Sequence, residues 1–289
     1  MNINVQDTLR QYRRMLELPR NQRKAYYADE ILKPFQPMFD IMQMPVDPDM
    51  LGLLPVSTDM DEKCAAMLNA LESADAWRQA HAAIQGAGAR FAAEGIPLPD
   101  DVVVGIFLGN PERLAASQGY TGAGSIPGYI QIVIAPNAYN LPRLQACIAH
   151  EFHHNVLFHN ADWDFMRDVT VGRYIAIEGL AESFAGSLYG TDCIGPWVTG
   201  IGNDDLEKAR RIIGKSLSVK GFMAVRPYIF GDHPMMPQEQ SIGMPYCGGY
   251  AVGYHAVQAY LNKTGASVEF ATLLDGDVIM EESGYFEIV

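Results

Sequence analysis

Apolar residues recur at helical spacing through the first part of the chain. Between residues 6 and 44 they recur among arginines and glutamines, a pattern that predicts helix, and Pro34 and Pro37 interrupt it. Residues 45–57 are rich in proline and predict a loop. Residues 60–94 are rich in alanine and predict one long helix or two shorter ones.

Two short segments after Gly95 have the composition of β-strands. Residues 102–109 (VVVGIFLG) are a β-branched run, and residues 128–136 (GYIQIVIAP) alternate isoleucine and valine with Gln131. The segment between them contains several glycines and predicts a loop. Residues 120–128 of this loop are flexible by composition, so that either a lid or an ordinary glycine loop fits them.

Helical patterns return in the second half of the chain. One helix is predicted over about 142–159, and others over roughly 171–189, 204–218 and 251–261. Residues 220–247 contain four prolines and three glycines and predict irregular structure.

The order of these elements predicts an α+β fold in two parts. Residues 1–98 form a helical N-terminal region, and residues 99–289 contain a small mixed sheet followed by a mostly helical part. A length of 289 residues accommodates one large domain or two small ones.

The chain is acidic, with a formal net charge of −13. Proteins that bind nucleic acid usually show a basic footprint, so nucleic acid is not an expected partner. The first residues do not have the pattern of a secretory signal, so none is expected, and no run of eighteen apolar residues predicts a membrane span. The four cysteines form no Cys-x-x-Cys pair. These features predict a cytoplasmic protein with reduced thiols.

One short motif carries chemistry: His150-Glu151-x-x-His154, in the helix predicted after the second strand. Residues four apart share a helix face, so the two imidazoles can bind one Zn²⁺ at about 2.0–2.1 Å. Glu151 can then reach the water on the metal and act as general base. Apolar residues surround the motif, and buried ionisable groups are costly unless they are paired or bound to metal. A metal site is therefore favoured over a solvated helix face.

A catalytic zinc usually has three protein ligands and one open position. The pattern HExxHxxGxxH fails because Leu157 and Asn160 occupy its last two positions, and His159 faces another side of the helix. The expected third ligand is Glu178 on the next predicted helix, where small neighbours favour close packing over a solvated face. Glu182 lies one turn later and is expected to hydrogen-bond the outer nitrogen of a ligating histidine.

The segments His150-Glu151-x-x-His154 and Glu178-Gly-x-Ala-Glu182 together resemble the gluzincins, the thermolysin-like branch of zinc peptidases. Among these, the chain is most similar to a bacterial family described as zinc-dependent proteases, domain-of-unknown-function family 2268. That family also implies a late Gly-Tyr-x-x-Gly-Tyr segment, matched at residues 249–254. The resemblance covers roughly residues 100–265. It implies a zincin fold, in which the sheet lies over the metal helix, and one zinc per chain.

Peptide hydrolysis passes through an oxyanion, which is usually stabilised by a hydrogen-bond donor in addition to the zinc. Tyr250 and Tyr254 share a face of the last predicted helix and are the candidate donors, although core packing with one exposed end also explains such tyrosines. His255 points to a different face. His153 lies off the ligand face and is expected to be packed or at the surface.

The chain is therefore predicted to be a zinc-dependent peptidase acting on a peptide or protein, with a zinc-activated water and Glu151 as general base. In a gluzincin-like fold the strand at 128–135 is expected at the sheet edge, where an extended peptide adds by backbone pairing. One alternative is a zinc hydrolase of a non-peptide amide or ester. Another is a non-catalytic zinc-containing regulatory or binding protein, but a structural zinc needs no base such as Glu151.

Overall fold

The computed structural model describes residues 1–46, 53–54, 60–232 and 241–287. The loop predicted at 45–57 lies largely outside the described residues. The chain forms two compact units, which we call the sheet unit (Met1–Ala89 with Pro97–His159) and the helical unit (Arg90–Ile96 with Asn160–Val289). The sequence predicts one boundary between residues 98 and 99, whereas each of these units combines two separate stretches of the chain. The predicted division stays a prediction.

The sheet unit is built on four strands: β1 (Asn2–Val5), β2 (Asp101–Leu108), β3 (Tyr120–Ala123) and β4 (Tyr129–Ile134). Their order across the sheet is β1-β2-β4-β3. The first three in this order run parallel, and β3 is antiparallel to β4. Most positions of β2 and β4 are buried apolar residues, as expected for inner strands covered on both faces. The protein is therefore α+β with a small mixed sheet.

The two outer strands, β1 and β3, lie in segments predicted as helical region and loop. Each has four residues, too few for a strand periodicity, so that pairing with an inner strand decides their conformation. The expectation that the strand at 128–135 forms the sheet edge is wrong. β4 lies between β2 and β3, and β3 forms the edge.

The helices that begin in the sheet unit are α1 (Thr8–Leu16), α2 (Arg20–Tyr26), α3 (Gln36–Met42), α4 (Asp61–Ser73), α5 (Ala76–Ala93) and α6 (Leu144–Asn160). The alanine-rich segment thus forms two helices, one of the two predicted alternatives. The N-terminal segment is tied to β2, because the Thr8 hydroxyl donates to the Ile106 carbonyl at 2.7 Å. The Tyr12 hydroxyl accepts from the Leu108 amide at 2.9 Å.

The helical unit contains α7 (Phe165–Asp168), α8 (Val171–Tyr189), α9 (Pro196–Thr199), α10 (Asn203–Gly214), α11 (Phe222–Phe230), α12 (Gly248–Thr264), α13 (Val268–Ala271) and α14 (Gly276–Glu282). α8 and α12 pack with their backbones in contact. A β-carbon at Gly179 would overlap the carbonyl of Gly253, and one at Gly253 would overlap the carbonyl of Ile175. The two helices approach this closely because both positions lack side chains.

The prediction of irregular structure over 220–247 is wrong where α11 forms, although residues 233–240 lie outside the described residues. Pro227 lies inside this helix and removes one backbone hydrogen bond. Val225 and Ile229, four positions apart, are fully buried and offset that cost by packing. In the described part of the chain, no helix combines the length and apolarity needed to span a membrane.

Candidate metal centre

α6 is buried on every side along most of its length. All residues from Ala146 to Leu157 are buried, although they include three histidines, a glutamate and an asparagine. Burying these polar and ionisable groups is unfavourable unless each finds a partner. The local environment of α6 is therefore that of a functional or metal-binding helix, not of a helix on the protein surface.

His150 and His154 lie one turn apart on α6 and direct the same ring atom toward one point. Their Nε2 atoms are 3.1 Å apart, and the two rings are nearly perpendicular, with an interplanar angle of 86°. Two nitrogen ligands of one tetrahedral zinc, each at about 2.0–2.1 Å, stand about 3.3 Å from each other. The histidine pair therefore has the spacing of two zinc ligands.

Glu178, on α8, contributes the third member of a buried ligand group. One ligand atom from each of His150, His154 and Glu178 lies within 4.8 Å of the other two. Among the described residues, this is the single group of three or more histidine, cysteine or acidic side chains with that property. Two imidazoles and one carboxylate are a donor set of catalytic zinc sites, so the group fits zinc.

Glu151 lies beneath the edge strand of the sheet. A β-carbon at Gly122, in β3, would overlap the side chain of Glu151. A β-carbon at Gly124, just after β3, would overlap the backbone carbonyl of Glu151. The glycine-containing segment predicted as a loop or lid is therefore partly a strand, and its glycines leave room for this carboxylate.

Asn155 was not singled out from the sequence, although it directly follows the second histidine. It is fully buried, and its side-chain oxygen accepts from the Gly128 amide at 2.7 Å. Its side-chain nitrogen donates to the carbonyls of Gly124 at 2.5 Å and Tyr129 at 2.9 Å. The available signal was a carboxamide at i+4 from Glu151, where α-helix geometry puts both on one face.

Glu182 is buried one turn after Glu178 and holds the segment that follows α8. Its two carboxylate oxygens accept from the Gly195 amide at 2.6 Å and from the Trp197 indole at 2.7 Å. Both are charge-assisted hydrogen bonds, which are stronger than neutral ones. The hydrogen bond to a ligating histidine that the sequence suggested for Glu182 stays a prediction.

Tyr250 and Tyr254 both lie on α12, in different surroundings. Burial, and then the negative charge of Glu182, raise the pKa of Tyr254 above its usual value. Its phenol is therefore protonated at neutral pH and able to donate. Tyr250 lies in an aromatic cluster, with ring centroids 6.5 Å from Trp197 and 6.0 Å from Phe230.

The remaining histidines near the motif have other surroundings. His153 is fully buried in α6, the packed one of its two predicted alternatives. His255 stacks on Tyr285, with ring centroids 6.5 Å apart and an interplanar angle of 13°. Burial lowers the pKa of His255, so it is a packed, neutral side chain at neutral pH.

The chain is similar to a known protein family and, along nearly its whole length, to one curated protein. The family model described as predicted Zn-dependent protease (DUF2268) matches residues 76–281. The uncharacterized protein YjfC of Bacillus subtilis (strain 168) is 36% identical over 302 aligned residues, which cover 99% of each chain. No solved structure matches the chain significantly. The chain belongs to the predicted Zn-dependent protease family (DUF2268), which confirms the resemblance seen in its sequence.

Proposed function

We propose that this chain is a zinc-dependent peptidase in which His150, His154 and Glu178 hold the metal. The observation that carries the proposal is the buried group formed by these three side chains, with ligand atoms within 4.8 Å of one another. Three ionisable groups so close together in a buried site are strongly stabilised by a cation that all of them bind. The description of the family supports the same chemistry.

The donor set favours a catalytic zinc over a structural one. Structural zinc sites usually have four protein ligands, often cysteines, whereas catalytic sites have three and leave one position open. The ligand group found among the described residues has three members and no cysteine. Zinc held by these residues would supply Lewis acidity, which polarises a substrate carbonyl.

Glu151 is the proposed general base. It lies next to His150 in the sequence and is not a member of the ligand group, so we assign it proton transfer and not metal binding. It accepts a proton from the attacking water and passes it to the leaving nitrogen. Bulk water is largely excluded from this carboxylate, since Glu151 is 7% exposed and β3 lies directly over it.

Tyr254 is the first candidate for the donor to the oxyanion, and Tyr250 is the second. The raised pKa of Tyr254 keeps its hydroxyl protonated where the reaction runs, and a preorganised donor of this kind stabilises developing negative charge. The aromatic contacts of Tyr250 indicate a packing role for that ring.

The edge strand favours a peptide over a small amide as substrate. β3 is the last strand in the sheet order, and its Gly122 lies against Glu151. An extended peptide that pairs with this edge would place its backbone carbonyls on the side of Glu151. A small amide or ester would gain nothing from such an edge.

Zinc content and hydrolysis, measured on the same preparations, test the proposal. The wild-type protein, purified without chelator and supplied with zinc, is expected to hold about one zinc per chain. It is expected to cleave denatured casein or members of a mixed peptide library. Glu151→Gln keeps the size of the side chain and is expected to retain zinc and lose about 10²–10⁴-fold in turnover. The exposed Glu281→Gln makes the same charge change and serves as the control.

Two results would contradict the proposal in different ways. If the wild-type chain binds no zinc, the proposed metal site is wrong. If the chain binds zinc but Glu151→Gln hydrolyses substrate as fast as the wild type, the assignment of Glu151 as general base is wrong.

A further inference from the structure

The carboxamide of Asn155 ties one hairpin to the metal helix. The hairpin runs from β3 through residues 124–128 to β4, and it makes three hydrogen bonds with this single side chain, at 2.5–2.9 Å. Both N–H donors of the carboxamide are used, and its oxygen accepts a third bond. Asn155 is fully buried, and so is its bond to the Gly124 carbonyl, so loss of the carboxamide would leave that carbonyl without this partner.

The same hairpin lies in close contact with Glu151. Gly122 and Gly124 lie so close to this residue that no β-carbon fits at either position. Glu151 and Asn155 are four positions apart, so they share the face of α6 that the hairpin covers. One end of the contact is thus a set of hydrogen bonds, and the other end is a backbone surface against the carboxylate.

The motif therefore contains two interleaved pairs at helical spacing. His150 and His154 direct their Nε2 atoms toward one point, 3.1 Å apart. Glu151 and Asn155 lie one position further along the helix and face the hairpin. The ligand pair and the hairpin pair are separated by about 100° around the helix axis, the rotation per residue of an α-helix.

We propose that Asn155 is a positioning residue for Glu151, an inference that rests on the proposed peptidase function. It holds the hairpin onto α6, and the glycine backbone of the hairpin confines the Glu151 carboxylate beside the ligand pair. Without the carboxamide, the hairpin separates from α6 and the carboxylate gains freedom. The metal ligands themselves are expected to keep their places, because His150 and His154 form the other pair on α6 and direct their Nε2 atoms toward each other.

Asn155→Leu tests this assignment, since leucine has a similar size and makes no hydrogen bonds. Backbone amides of residues 124–129 are expected to exchange with deuterium about tenfold faster or more, as the hairpin opens. The variant is expected to keep about one zinc per chain. Its kcat on casein is expected to fall about 10–100-fold, with KM changed less than about threefold. The exposed Asn203→Leu is the matched control.

A second variant tests the other end of the contact without touching Asn155. Gly122→Ala introduces a methyl group that overlaps the Glu151 side chain, so its melting temperature is expected to fall by several degrees. In a Glu151→Ala background the same substitution is expected to cost much less, because the overlapping atoms are gone. This double-mutant cycle tests the contact between Gly122 and Glu151 even if Asn155→Leu does not fold.

These readouts separate the failure of this inference from the failure of the peptidase function. If the wild-type protein cleaves nothing, the exchange rates and the melting-temperature cycle still report on the hairpin. Wild-type exchange at residues 124–129 in Asn155→Leu would overturn the inference. Parallel loss of zinc and kcat in that variant would also overturn it, because that result indicates a general structural role.

Discussion

His150 and His154 in α6, and Glu178 and Glu182 in α8, are two pairs of residues four positions apart on buried helices. The histidines meet, with Nε2 atoms 3.1 Å apart. The glutamates have different partners: Glu178 belongs to the ligand group, whereas Glu182 binds the segment that follows α8. Helical spacing places both members of each pair on one face, but it does not choose their partners.

Tyr250 and Tyr254 on α12 form a third pair with the same spacing, and they also have different surroundings. Tyr254 lies near the charge of Glu182, and Tyr250 lies among aromatic rings. The two imidazoles on α6 converge by local helix geometry. The carboxylates of α8 and the phenols of α12 take the partners that the surrounding elements bring to them.

The largest expected effect separates the two glutamates of α8. Glu178→Ala should bring the zinc content from about one per chain to near zero after dialysis, because a three-ligand site loses one ligand. Glu182→Ala should weaken zinc binding by no more than about 10–100-fold. Metal analysis after dialysis against a weak chelator distinguishes them. Equal losses in both variants would contradict the different positions of these carboxylates.

The next effect separates the two tyrosines of α12. Tyr254→Phe should lower kcat on casein by about 10²–10³-fold, the usual cost of one oxyanion donor. Tyr250→Phe keeps the aromatic ring and should change kcat only slightly. Steady-state kinetics on both variants, with zinc content as the control for folding, measures the difference. The reverse order would assign the donor to Tyr250.

A smaller effect tests the close approach of α8 and α12. Gly253→Ala adds a methyl group that overlaps the carbonyl of Ile175, and it should lower the free energy of unfolding by about 1–3 kcal/mol. Gly86→Ala, in α5, is the matched control. Apart from the neighbouring residues and backbone of its own helix, no heavy atom lies within 4 Å of the added methyl group, so this change should stabilise by about 0.5–1 kcal/mol. Urea unfolding measures both, and an unaffected Gly253→Ala would show that the helices separate at no cost.

The smallest expected effect is on the pH dependence of stability, and it tests His255, the neighbour of Tyr254. Burial lowers the pKa of His255, so the unfolded chain binds its proton at a higher pH than the folded chain does. The stability contributed by the neutral ring is present above about pH 6.5 and is lost as the pH falls toward the lower folded pKa. His255→Gln should therefore unfold with a weaker pH dependence between about pH 7.5 and about pH 5. Urea unfolding at both values checks this, with the exposed His81→Gln as control.

Local signals explain which elements could be predicted. α8 has the bounds that its helical pattern predicts, because Thr170 caps its first turn and Gly190 ends it with a φ of 89°. β2 and β4 are rich in β-branched residues, and apolar runs of this kind form inner strands. α11 could not be predicted, since the burial that offsets Pro227 comes from tertiary packing.

The motifs in the sequence were enough to identify the family and to predict the relative positions of His150, Glu151 and His154, because residues one and four apart on a helix have a defined geometry. That β3 is the edge strand over Glu151, and that Asn155 binds its hairpin, depends on the packing of distant segments. A four-residue strand has no periodicity of its own. Its conformation depends on strands and helices that are distant along the chain, and that information is not carried by any short segment.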